Sequence, residues 1–261
     1  MNALRVAWLF FRVGAMNELQ YRVNFFLQLV QSLLAIGTGL VSLWLIFSQT
    51  SSLHGWNAAQ LLIVMGIFTM MGGFIQSTIQ PNMMRLMDDI QQGTLDYALT
   101  KPEDAQLLVS VREVAIWQMV DVLTGLIIVV AGVLRLQSQV GVGHAALFVL
   151  VLTLGSVIIY SFWMILTTIA FWVVRMDQIV EMFQGVYAAA RYPVGIYPAW
   201  LQYGLTVLVP IAFAVTVPAE ALTGRLTGQT LAGAAAFTIV LFGLTRIVWR
   251  FGLKRYSGAS A

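Results

Sequence analysis

Apolar residues in this chain fall into long runs separated by short polar segments, without the two-residue alternation of half-buried strands. Runs at about 24–47, 57–80, 114–134, 145–174 and 231–249 approach or exceed the ~20 residues that cross a bilayer as a helix. The 145–174 run carries no charge along its whole length, so its helix tilts or projects beyond the lipid. Before the first run, residues 1–23 read differently. Leu4, Trp8, Phe11, Ala15 and Leu19 share one helical face, Arg5 and Arg12 flank it, and Glu18 falls within it. This pattern predicts an interfacial helix whose arginines reach the headgroups, with a basic leader before the first span as the alternative. No small-residue cleavage site follows a short apolar core, so no secretory signal is read here.

The region between the fourth and last runs is ambiguous. Hydropathy alone favours a span at 201–222, yet Pro210 and Pro218 lie within it and Pro193 and Pro198 precede it. The alternative places span five at about 176–192 and makes 193–222 a broken hairpin dipping into the membrane. Backbone interrupted by proline is tolerated at that depth only where protein or water supplies partners. Either reading gives six crossings and the same ends.

Composition removes the soluble classes. Hydrophobic residues make up 59% and charged residues 10%, against usual values of ~45–50% and ~25%. So little charge cannot coat a water-facing surface. The net charge of +3 is too small to point to nucleic acid, and with no cysteine the chain has no disulfide or thiolate site. The placement of its 14 basic residues is more informative. With both termini inside, Arg5, Arg12, Arg22, Arg85, Lys101, Arg112, Arg175, Arg246, Arg250, Lys254 and Arg255 all fall on the cytoplasmic side. Arg135 and Arg225 then lie outside, and Arg191 depends on the hairpin.

Covalent chemistry is not visible. There is no HExxH, no G-x-S-x-G and no Walker A pattern, and the two histidines, His54 and His144, sit in separate loops. The stretch from Gly141 to Ala146 matches G-x-G-x-x-A but follows no strand, so it is not read as a nucleotide site. Asp121 is the one acid well inside a span; it either faces a polar pathway or bonds a neighbouring helix. Asp177 and Glu181, one turn apart, either line an inner vestibule or end a solvated helix.

The longest polar stretch, 81–113, carries a two-faced helix. Met83, Leu86, Met87 and Ile90 recur at i, i+3, i+4, i+7, while Arg85, Asp88, Asp89 and Gln92 form the opposite face. Arg85 and Asp89 are spaced to pair, Gly93 supplies a stop, and Pro102-Glu103-Asp104 begins a helix expected to enter span three.

The segment from Gly93 to Pro102, GTLDYALTKP, resembles the cytoplasmic loop of type-2 ABC exporter permeases. The segment Arg191 to Leu201, RYPVGIYPAWL, followed by Pro210, is similar to that family's outer region, although Val209 stands where the family commonly carries Asn. The ending from Lys254 to Ala259, KRYSGA, resembles the subfamily's usual terminus. The match runs in order along the whole chain. It implies an all-α integral membrane protein with six transmembrane helices, an N-terminal interfacial helix, a cytoplasmic coupling helix and an outer re-entrant hairpin. It also selects the second reading of span five. The single permease domain, 1–261, then divides into the interfacial helix (1–23), spans one and two (24–80) and the coupling loop (81–113). Spans three and four (114–174), span five (175–192) and the gate hairpin (193–224) follow. An outer loop with span six (225–250) and a cytoplasmic tail (251–261) complete it.

The coupling helix is implied within 82–104, with Arg85, Asp88, Asp89, Asp96, Tyr97 and Lys101 contacting an ATP-binding cassette subunit. Pro193, Tyr197, Pro198, Trp200 and Pro210 are implied in the outer gate, and Asp121 lies on a possible pathway. The expected function is the permease of an ABC exporter in the bacterial cytoplasmic membrane, with both termini cytoplasmic. It would work as a dimer with an identical or paralogous permease. This chain would bear no cofactor, metal site or catalytic residue; ATP and Mg belong to the partner ATPase. The expected substrate is amphipathic or lipid-linked, and lipid surrounds the chain. A secondary, ion-coupled transporter is an alternative, but no inverted repeat or set of buried titratable groups is visible. An integral-membrane enzyme would show clustered polar catalytic residues, and a non-transporting scaffold is the third alternative.

Overall fold

The computed structural model describes residues 22–101, 104–136, 140–172 and 178–256. Among them every regular element is helical, and the only strand-like contact is a single bridge between Leu53 and Trp56 in a loop. Five helical stretches are long and apolar enough to cross a membrane: Val23–Gln49, Ala58–Gln92, Ile116–Arg135, Val142–Phe171 and Gly228–Leu253. This is an all-α integral membrane protein. The interfacial helix expected over 1–23 lies outside the described residues apart from its last two, which begin α1 (Arg22–Gln49).

A reciprocal cap fixes the start of α2 (Ala58–Phe74). Asn57 Oδ1 accepts the Gln60 N–H at 2.9 Å, and Gln60 Oε1 accepts the Asn57 N–H at 3.1 Å. A π-helical stretch, Ile75–Ile79, joins α2 to α3 (Gln80–Gln92), giving one rod of 35 residues. The expectation that span two ends at 80 and a separate helix follows is therefore corrected. The cause is Pro81, which has no N–H for the Ser77 carbonyl and whose ring would collide with it in α geometry. The wider π turn relieves that collision. The freed Ser77 carbonyl accepts the Ala115 N–H instead, at 2.9 Å. Gly93, at φ 70°, ends α3 in the left-handed conformation that the sequence reading anticipates.

Two short helices follow, α4 (Asp96–Leu99) and α5 (Ala105–Ser110). Asp104 caps α5 by accepting the Leu107 N–H at 3.1 Å. Because α5 stops at Ser110, the helix begun near Asp104 does not run into span three, which is another correction. That span is α6 (Met119–Arg135), entered through a 3-10 turn at Ile116–Gln118.

After α7 (Val142–Thr168) the next described helix is α8 (Ile179–Tyr187), extended by a 3-10 turn, Ala188–Arg191. Their 9 and 4 residues account for roughly 20 Å of rise. Of the span expected over 175–192 the described part is this helix with its 3-10 turn, residues 173–177 lying outside the described set. The hairpin region follows: α9 (Ala199–Tyr203) continues as a π-helical stretch to Leu208, and α10 (Ile211–Leu222) departs from it at 101°. Pro210 occupies the bend, whereas Pro218 lies inside α10 without ending it. Finally α11 (Gly228–Leu253) forms the last span.

The long helices pack in the order α11, α7, α10, α2, α6, α1. The tightest seam joins α2 to α6 through glycines. A Cβ on Gly66 would stand 2.7 Å from the Val129 nitrogen, and one on Gly73 2.7 Å from the Val122 nitrogen. Only residues without a side chain let these backbones approach so closely. Gly155 of α7 likewise abuts the Phe213 carbonyl of α10. That contact lies roughly 20 Å along α7 from Val142, so α10 starts deep in the molecule. The core gathers Ile63, Ile67 and Met71 of α2, Ile159 and Trp163 of α7, and Val215 of α10. The flanking helices α1 and α11 leave most of their apolar surface exposed, as lipid-facing helices do.

Candidate functional site

Three places carry polar chemistry: the loop between α3 and α6, a cavity beside Asp121, and the hairpin. At the loop, the apolar stripe of α3 is buried as its spacing requires, with Met83 and Leu86 fully enclosed and Met87 nearly so. Arg85 and Asp88 face outward. Asp89 does not. Its side chain is 5% exposed and accepts from Arg112 at 2.7 Å, while Arg85 stands 3.4 Å away. The Thr94 hydroxyl adds a third contact at 3.0 Å. Opposite charge and hydrogen bonds together offset the cost of burying this carboxylate. Asp89 is therefore an internal fastening, not an exposed contact, and its expected partner-facing role is corrected.

The loop is tied down at two further points. Asn82, almost fully buried, donates to the Glu113 carbonyl at 2.7 Å and accepts the Glu113 N–H at 2.9 Å. Arg246 of α11 donates to both carboxylate oxygens of Asp104, one bond measuring 3.0 Å, and to Gln106 at 2.8 Å. The Arg246 guanidinium holds the Asp104 carboxyl below the usual carboxylate range. Between these fastenings, Leu95 and Ala98 are buried, which leaves Tyr97 78% exposed at the tip. Lys101 is exposed and Asp96 half-exposed on the same short segment. The loop thus presents Arg85, Asp88, Tyr97 and Lys101 outward from a braced base.

The second place is a cavity of about 320 Å³ between α1, α2, α6 and α8. Its walls hold Gln28, Gln31 and Ser32 of α1, Thr69 of α2, Gln76, Gln118, Asp121, and Gln184 with Tyr187 of α8. Gln28 donates to Asp121 at 2.8 Å, and the Ser32 and Thr124 hydroxyls lie 3.2 Å apart one turn further along. Asp121 thus bonds a neighbouring helix, the second of the two alternatives, and also borders this polar cavity. Tyr187 donates to the Phe68 carbonyl at 2.8 Å and stacks on the Phe68 ring at 4.9 Å. A larger crevice of about 440 Å³ is walled chiefly by Leu40, Leu43, Trp44, Phe47 and Leu62, so it suits lipid more than polar chemistry.

In the hairpin region, Pro193 and Pro210 are buried, Pro198 is exposed and Trp200 is 75% exposed. Tyr197 donates to the Ala189 carbonyl at 2.8 Å, and Thr216 Oγ1 of α10 accepts the Val194 N–H at 3.2 Å. Nearby, Arg225 stacks over Trp56 at 4.6 Å from the ring centroid and donates to Gln60 at 3.2 Å. This joins the loop after α10 to the loop before α2. Glu181 is exposed on α8, and Asp177 lies outside the described residues.

The sequence reading did not identify Arg112, Asn82, the Asp104–Arg246 latch or the glutamines around Asp121. Polar residues inside otherwise apolar spans were the available signal for the glutamines. Residues 33–260 match the family model described as ABC-2 family transporter protein. No curated protein and no solved structure matches the chain.

Proposed function

This chain belongs to the ABC-2 family of transporter proteins, and on that premise we propose that it is the permease of an ABC exporter driven by a separate ATP-binding subunit. The observation that carries the reading is the braced loop with Tyr97 at its tip. A surface that receives force must not yield locally. Here the Asp89–Arg112 pair ties the loop to α3, and the Asp104–Arg246 pair ties it to α11. α3 is continuous with α2, so a push at the tip acts on a rod of 35 residues. The glycine seam passes that displacement to α6. Both rod and seam border the cavity at Asp121. ATP and Mg act on the partner, whose closure and release shift the permease between two states.

Two permeases, identical or paralogous, pair so that their polar cavities face a shared pathway. The loop end is cytoplasmic, a reading supported by the weight of Lys and Arg, and both termini lie on that side of a bacterial cytoplasmic membrane. The hairpin at 193–224 then dips in from outside, with Tyr197 and Trp200 near the interface and Pro210 at the buried bend, and closes the path outward. The transported molecule is amphipathic or lipid-linked and is drawn from the surrounding lipid.

The test is ATP hydrolysis by the complex reconstituted in lipid. Asp88→Lys combined with Tyr97→Ala should lower transport-coupled hydrolysis at least about tenfold while insertion stays intact, since few residues dominate an interface. Undiminished coupling in that variant would refute the docking assignment.

A further inference from the structure

The cavity beside Asp121 has a composition that discriminates between ligands. Among its lining residues Asp121 is the one with a formal charge, and five of the others are glutamines. Amides and hydroxyls both donate and accept, so they suit polar groups of either sense. The carboxylate does not. In surroundings of low dielectric a fixed negative charge repels an anion and attracts a cation far more than it would in water.

A cation beyond the Tyr187 end strengthens this polarity. Arg191 stands over the Phe68 ring, 5.7 Å from its centroid, and Phe68 stacks on Tyr187. A bound cation is thus repelled from that end and drawn to the Asp121 end. Gln31, Ala35, Gln184 and Ala188 are exposed at the rim. Phe26, Val30, Leu33 and Leu34 are exposed elsewhere on α1, so an alkyl chain leaving the rim meets apolar surface.

We propose that this cavity takes the protonated amine headgroup of a cationic amphiphile, with Asp121 as its counter-ion and the surrounding glutamine amides receiving adjacent polar groups. The proposal rests on the permease reading, because it names the class of molecule that permease would carry. Among the described residues Gln28 donates to the Asp121 carboxylate at 2.8 Å, and a carboxylate has capacity for more donors than that. An ammonium supplies three donors and a full positive charge.

The experiment uses the full chain in lipid nanodiscs without any ATPase. The probes are a dansyl-labelled dodecylamine, its uncharged acetamide and a sulfonate of the same chain length, each corrected for partition into empty discs. The expected order is amine, then acetamide, then sulfonate. Asp121→Asn should weaken the amine at least about tenfold and leave the acetamide within about twofold, since a close charge pair in a binding site is commonly worth that or more. Should Asp121→Asn fail to fold, Gln184→Lys at the exposed rim serves in its place, and it should reverse the preference toward the sulfonate. Equal binding of the three probes, or a folded Asp121→Asn that keeps its amine preference, overturns the proposal, as does an unchanged order in Gln184→Lys. Because no ATPase is present, a chain that prefers amines yet never couples to hydrolysis refutes the exporter reading alone. One that couples but shows no charge preference refutes this inference alone.

Discussion

Removing Arg112 should release the loop from α3. Asp89 is 5% exposed at its side chain and Arg112 19%, so the 2.7 Å contact is shielded from solvent on both sides. Breaking a buried pair by deleting one partner commonly costs about 3–5 kcal/mol. Some of that is recovered here, because Thr94 keeps its bond at 3.0 Å and Arg85 remains at 3.4 Å. Arg85 is 57% exposed, however, and a solvated guanidinium contributes little. A loss of about 2–3 kcal/mol is therefore expected for Arg112→Met. If the loop opens independently of the spans, amide exchange over 93–112 should accelerate by roughly 30- to 150-fold. Exchange in the core of α7 should not change. The sharper check is Asp89→Asn combined with Arg112→Met. Replacing both charges removes the uncompensated carboxylate, so the double variant should exchange more slowly than Arg112→Met alone. An unaltered loop in Arg112→Met, or strictly additive effects in the double variant, would refute the reasoning.

Gly66→Leu forces a side chain where the Val129 nitrogen lies 2.7 Å from the Cβ position; separation of α2 from α6 should cost about 1–3 kcal/mol or more and lower the thermal midpoint in detergent. Pro81→Ala restores a donor for the Ser77 carbonyl, so the Ala115 amide, now bonded there at 2.9 Å, should exchange faster. The Asp104–Arg246 latch is 45% and 40% exposed at its two side chains, so Asp104→Asn, which keeps the α5 cap, should cost no more than about 1 kcal/mol, and less in high salt. Its carboxyl is held below the ordinary value in the folded chain. The latch therefore contributes fully above the unfolded value of about 3.9 and is lost as pH falls through the lower folded value. The difference between wild type and Asp104→Asn should persist at neutral pH and vanish only in strong acid.

The hydrophobic runs locate five spans well because bilayer thickness imposes a length that hydropathy reports directly. The buried stripe Met83, Leu86 and Met87 was readable for a similar reason, since helical period ties sequence spacing to one face. Asp89 was misplaced because its decisive partner, Arg112, is distant in sequence and comes within 2.7 Å only after the loop folds back. Continuity through Pro81 was hidden because proline ordinarily ends a helix, and only the π turn with an acceptor-seeking Ala115 amide lets it persist. The glutamine-walled cavity was invisible residue by residue. Each glutamine is unremarked in its own run, and they become a site when α1, α2, α6 and α8 are brought together. Span five was ambiguous because apolar residues continue past α8 into the bend at Pro210.

The proposed permease role requires the loop tip to touch an ATP-binding subunit. The chain has no cysteine, so single cysteines carrying a photo-activated cross-linker can be placed without background. Tyr97 is 78% exposed at the tip, and Val142, at the start of α7, is 88% exposed. A cross-linker at position 97 should capture the ATPase in native membranes, and one at position 142 should not. Capture at position 142 with none at position 97 would contradict that role.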